Sequence, residues 1–161
     1  MSHEKLSAAI RVTIDDIDEE FVSAEALLKL AAVKELDFIE TAAAASILQS
    51  FYTGIENLVL YLCKSLDGAL PQTQSWHRDL LDYASKDTEK RPAIFDASTR
   101  NILVTYLDYR HVVRHGYARK LRADRTRELL LDAPKAWESA RENLNHFIET
   151  LQSYNSGRAG K

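Results

Sequence analysis

A chain of 161 residues, 45% hydrophobic and 28% charged, has room for a real core and the make-up of an ordinary globular protein. Its one cysteine, Cys63, excludes an intramolecular disulfide and a cysteine-built metal site, and no apolar run reaches the roughly 18 residues of a membrane span. The net charge of −3 is unevenly spread: residues 110–127 hold seven Arg or Lys against one acid, Asp124, so this segment is +6 and the remainder −9. Met1 to Lys5 is polar and does not read as a signal peptide, so the expected location is cytoplasmic.

Five glycines and three prolines are few breakers for a strand-rich chain, and the pattern predicts an all-α, up-and-down bundle of about five helices. The first spans 14–31, with Ile14, Ile17, Phe21, Ala24, Leu28 and Ala31 on one face. Thr13 is its expected cap, and Asp15, Asp16, Asp18 and Glu19 favour the dipole of its first turns. The second spans 37–66. Its stripe Ile39, Ala43, Ile47, Phe51, Ile55, Leu58, Leu62 and Leu66 is widened by Leu48, Tyr52, Val59 and Cys63. A helix apolar on more than one side is buried centrally or faces a second subunit. Asp67-Gly68 marks a left-handed end.

A shorter helix over 76–85 turns Leu80, Leu81 and Ala84 inward; His77, between Trp76 and Arg78, reads more readily as a surface or satisfied histidine than as a functional one. Asp96 caps a helix over 97–114 whose Ile102, Leu103, Tyr106 and Val113, with Leu107 as a further candidate, face the core. After a basic connector, Asp124 starts a turn through Leu131, and Pro134 bends or restarts the chain. The last helix, 135–154, buries Trp137, Ala140, Leu144, Phe147, Ile148 and Leu151. Residues 1–155 read as a single helical domain and 156–161 as a polar tail.

The chemistry concentrates in Arg110-His111-Val112-Val113-Arg114-His115-Gly116-Tyr117, an Arg-x4-His-x-Tyr pattern at a helix end. On an ideal helix Arg110 and His115 point about 140° apart, so they converge only where the helix unwinds, which Gly116 permits. Arg110 and Arg114 share a face and repel unless an anion lies between them; Asp108 is not on that face, and the sequence places no other carboxylate nearby. A nucleic-acid phosphate would satisfy them. RNA carries its own nucleophile, the 2′-hydroxyl. His115 is the candidate base, Arg110 stabilises charge developing on the phosphoryl oxygens, and Tyr117 orients the phosphate or hydroxyl or stacks on a base. Arg114, Arg119, Lys120 and Arg122 are the candidate RNA-binding residues around them. This chemistry requires no metal and no cofactor.

The motif and the helical layout over roughly residues 10–155 resemble the HEPN superfamily, specifically the HepT-type ribonuclease toxins of HepT/MNT toxin–antitoxin modules. Arg110, His115 and Tyr117 match that family's Arg-x4-His-x-Tyr motif, and the polar His111 fits it loosely. The stretch Trp76-His77-Arg78-Asp79 looks like one HepT-like branch. The resemblance implies a helical bundle that forms a homodimer with both motifs near a shared cleft. It implies a metal-independent endoribonuclease acting on RNA. It also implies a small MNT-type nucleotidyltransferase antitoxin that transfers AMP from ATP to Tyr117. The alternatives are a non-catalytic HEPN module binding RNA, a nucleotide or the nucleotidyltransferase, and a structural bundle with a solvated basic face.

Overall fold

A computed structural model describes residues 3–68, 70, 73–115 and 121–156, and every regular element among them is helical. The order is α1 (His3–Ser23), α2 (Glu25–Val33), α3 (Phe38–Asp67), α4 (Trp76–Ala84), α5 (Ala97–Arg114) and α6 (Ala123–Ser156). The all-α expectation holds, with six helices rather than five.

The difference lies at the two ends of the chain. The predicted helix over 14–31 is two helices. α1 begins at His3 rather than at a Thr13 cap, because Leu6 and Ile10 continue the buried Ile14–Ile17 stripe. It stops at Ser23, and Ala24, with φ −83° and ψ −4°, turns the chain into α2. That turn lets Leu27, Leu28 and Ala31 join Leu36, Ala44, Ile47 and Leu130 in a small apolar cluster. Arg127 fastens the cluster by donating from Nε to the Ala31 carbonyl at 2.6 Å. Tertiary packing thus overrides a run whose local propensity favours continuity.

At the other end, Pro134 neither stops nor restarts a helix: α6 runs 34 residues through it. Its ring is on the exposed face, while Leu129, Leu130, Ala133, Ala136 and Trp137 on either side are buried. A proline removes one intrahelical bond, and packing of the turns before and after it holds the axis together.

α3 packs against α1, α4, α5 and α6, which take up its apolar stripes from Ala44 onward; Ile39 and Ala43, at the start of the expected stripe, are exposed because the first turns of α3 project beyond its neighbours. Phe51 sits at the meeting point. Its ring makes edge contacts with Phe21 of α1 at 5.4 Å, Tyr106 of α5 at 5.3 Å and Trp137 of α6 at 6.2 Å. Each such pair adds roughly 0.5–1.5 kcal/mol beyond the area it buries. α3 starts in a reciprocal cap: Asp37 and Glu40 each accept from the other's backbone N–H at 2.8 Å. It ends at Gly68 with φ 77°, the left-handed stop expected there. Asp15, Asp16, Asp18 and Glu19 lie in the middle of α1, not in its first turn. Asp18 among them accepts from the Trp137 indole at 2.6 Å and from Arg141 at 3.1 Å.

The loop between α4 and α5 is held by Arg91, which is fully buried. Its Nε donates to Asp67 at 2.7 Å. Its Nη1 donates to the Lys86 and Pro92 carbonyls, and its Nη2 to the Tyr83 carbonyl and the Cys63 sulfur. All five guanidinium N–H groups are used. Burial pushes the Cys63 thiol up to about 11, in keeping with a core residue rather than a reactive one. No helix of the described residues is long and apolar enough to cross a membrane.

Candidate functional site

α5 is started by Asp96, whose carboxylate accepts the Thr99 N–H at 2.7 Å. It runs to Arg114, and its last turns form one wall of a cleft of about 710 Å³. Leu107, Asp108, Arg110, His111, Arg114 and His115 line that side; Trp76, His77 and Arg78 at the start of α4 line the other. Arg110, Arg114 and His115 are therefore brought together. The helix unwinds at His115, which caps it with φ −81° and ψ 18°.

His115 is exposed, and its Nδ1 donates to the His111 carbonyl of its own helix at 2.8 Å. A carbonyl only accepts, so Nδ1 carries the hydrogen and Nε2 is the basic nitrogen of the neutral ring. The His111 ring lies beside it at 4.2 Å. This single bond fixes both the tautomer and the orientation a general base needs.

Arg110 is turned inward, only 9% exposed. Its Nε donates to the Thr53 hydroxyl at 3.0 Å, and its Nη2 lies 3.3 Å from Glu56. The expectation that no carboxylate stands near the motif is thus overturned by Glu56, whose side chain is 4% exposed. Glu56 is shared, for its second oxygen accepts from His77 Nδ1 at 2.6 Å. The His77 ring is stacked on Trp76, with centroids 3.6 Å apart. A buried carboxylate is costly without partners, and two donors on opposite walls, the Arg110 guanidinium and the His77 ring, supply them here. Tyr52 adjoins this cluster; burial first, and then the Glu56 charge, push its hydroxyl well above the ordinary tyrosine range. At the rim, Arg78 of α4 meets Asp108 of α5 at 2.6 Å, an exposed pair of the kind that contributes roughly 0–1 kcal/mol.

Glu56, Trp76, His77 and Arg78 are absent from the residues that the sequence singles out as the site. The signal for Glu56 is legible: Tyr52, Glu56, Val59 and Cys63 are spaced by four, three and four, so an acid interrupts an apolar stripe. Such an acid demands a buried partner. Nothing local ties His77 to it, since the two are 21 residues apart.

Arg122 lies elsewhere. It pairs with Asp124 at 2.5 Å and lines a separate cleft with Tyr109, Val112, Leu121 and Arg125. Tyr117, Arg119 and Lys120 fall outside the described residues, as does Gly116. A larger cleft, about 1000 Å³, separates α1 from α3. The charged groups lining it are Asp16, Glu19 and Glu20, so an anionic polymer meets no cation there. Among the described residues, no cluster of three or more His, Cys, Asp or Glu side chains converges as a metal site would.

No curated protein and no solved structure matches this chain. Residues 43–151, which include α4, α5 and both walls of the Arg110 cleft, match the family model described as HepT-like protein; this spans more than half of the sequence, and the chain belongs to that family.

Proposed function

We propose that this protein is the toxin of a HepT/MNT toxin–antitoxin pair, a metal-independent endoribonuclease restrained by a nucleotidyltransferase antitoxin. The observation that carries the reading is that Arg110 and His115 line one cleft with His115 Nε2 left as the base. In this reading His115 takes the proton from a 2′-hydroxyl, which attacks the adjacent phosphorus. Arg110 stabilises the added negative charge, and Arg114 on the exposed side helps to hold the RNA backbone. Arg119, Lys120 and Arg122 are, in this reading, the further candidate RNA-binding residues. The products are a 2′,3′-cyclic phosphate and a 5′-hydroxyl.

Family membership supports a homodimer with part of α5 near its axis. It also supports adenylylation of Tyr117, which would place a phosphodiester charge and an adenine beside the arginines meant for RNA. Tyr109, the neighbouring tyrosine, is a poor acceptor: it is buried and bonded to the Thr126 hydroxyl at 2.8 Å.

The test is induced expression of the wild type beside His115→Ala, scoring growth and RNA integrity, followed by purified cleavage with and without EDTA. Wild-type cleavage that persists in EDTA and is lost in His115→Ala supports the reading. Equal cleavage by both proteins refutes the role of His115. A second reading, a binding-only module for RNA, a nucleotide or the nucleotidyltransferase, is favoured by one observation: Arg110 is already engaged by Glu56 and Thr53. RNA binding without cleavage by the wild type would select it.

A further inference from the structure

Cleavage through a 2′-hydroxyl needs two proton transfers on opposite sides of phosphorus. One removes a proton from the attacking oxygen; the other delivers one to the departing 5′-oxygen. The Arg-x4-His-x-Tyr motif offers one histidine for the first task. The cleft offers another on its opposite wall. His77 comes from α4, whereas His115 and Arg110 come from α5, and all three line the same space. Its environment differs from that of an ordinary surface histidine. Nδ1 is taken by Glu56 at 2.6 Å, one ring face is covered by Trp76 at 3.6 Å, and the side chain keeps 27% of its exposure. With Nδ1 donating to a carboxylate, Nε2 is the nitrogen left for the cleft. The carboxylate orients the ring. Glu56 holds His77 more closely than it holds Arg110, at 2.6 Å against 3.3 Å. Among the described residues Arg110 Nη1 makes no hydrogen bond, which leaves the arginine able to meet a phosphate.

We propose that His77 is a second catalytic residue of this cleft, the general acid that protonates the 5′-oxygen. The proposal rests on the ribonuclease reading above. His115 Nε2 takes the 2′-hydroxyl proton as the bond from the 2′-oxygen to phosphorus forms. The bond from phosphorus to the 5′-oxygen breaks, and the proton on His77 Nε2 passes to that oxygen. His77 ends neutral and His115 ends protonated, and exchange with water restores both. No oxidant, metal or second substrate is consumed.

The experiment compares two oligoribonucleotides of one sequence, cut by the purified full chain. One is ordinary RNA; the other carries sulfur in place of the bridging 5′-oxygen at the cleavage site, a leaving group that departs without a proton. Loss of a general acid is expected to slow ordinary RNA by about 10²–10⁴-fold and the sulfur substrate by less than about tenfold. His77→Ala and His77→Gln are both tested, because the glutamine amide can still donate to Glu56 and preserve packing. His115→Ala should slow both substrates. Wild-type rates on ordinary RNA in either His77 variant overturn the proposal while leaving the ribonuclease reading intact. Equal slowing of both substrates also overturns it, because that marks a group that shapes the cleft without giving a proton. A wild type that cuts neither substrate overturns the ribonuclease reading and this proposal with it.

Discussion

Two buried arginines join α3 to a neighbouring element, and they are built for different ends. Arg91 meets Asp67 near the end of α3 and uses every guanidinium N–H on the protein itself. Arg110 meets Glu56 near the middle of α3, with a longer contact and a cleft on its other side. The Asp67 carboxylate serves one cation, whereas Glu56 is divided between Arg110 and His77. A saturated ion pair fixes a loop. A shared and unsaturated one keeps binding capacity in reserve, at some cost in stability. Burial of an arginine is therefore no guide to its role; the count of its satisfied donors is.

The comparison can be broken most sharply through activity. Arg110→Ala and His115→Ala should each lower RNA cleavage by about 10²–10⁴-fold, measured under single-turnover conditions. His115→Ala should leave the urea midpoint nearly unchanged, because the ring is exposed. Arg91→Ala should do the reverse. It leaves the buried Asp67 carboxylate without its cation, and the loss should be about 3–5 kcal/mol in equilibrium unfolding. Cleavage per folded molecule should stay at the wild-type level. If Arg91→Ala impaired cleavage with the fold intact, the division between the two arginines would collapse.

A smaller effect refines the same point. Arg110→Ala should destabilise less than Arg91→Ala, because Glu56 retains its 2.6 Å bond to His77. The double variant Arg110→Ala/His77→Ala should then lose more than the sum of the single changes, read as a coupling energy in a double-mutant cycle. Strict additivity would mean that Glu56 is not shared in solution.

The smallest expected change is at the far end of α5. Asp96→Ala removes a cap and should cost about 1 kcal/mol with cleavage per folded molecule unchanged. The Thr99 N–H holds the Asp96 carboxyl below its ordinary value. Its contribution should be complete above the unfolded carboxyl value, about 3.9, and fade as pH falls through the lowered folded value. Wild type and variant should thus differ in midpoint at neutral pH and converge in strong acid. A gap that widened on acidification would contradict the cap.

Much of this arrangement is legible in the sequence, because strong local signals agree with the packing. The Asp96 cap, the Gly68 stop, the stripe of α5 and that of α3 from Phe51 onward lie where periodicity and capping place them. The sequence misleads where a local signal yields to tertiary contact. Ala24 has no breaker to announce the turn into α2, and Pro134 announces a break that packing on both sides overrides. The site divides in the same way. Arg110 and His115 are neighbours in sequence, and their convergence follows from a helix end. Glu56 and His77 come from two other helices, and only the packing of α3, α4 and α5 makes them one cluster.

The chain's two tryptophans lie on opposite sides of this divide. Trp137 is buried against Phe51, with its indole on Asp18. Trp76 is half-buried, its ring lying over His77 at the cleft wall. The molecule thus carries two intrinsic fluorophores with separate duties. Emission from Trp137 reports whether the bundle is folded, and emission from Trp76 reports what occupies the cleft. In Trp76→Phe the remaining signal should change only on unfolding, and in Trp137→Phe it should also respond to nucleotides.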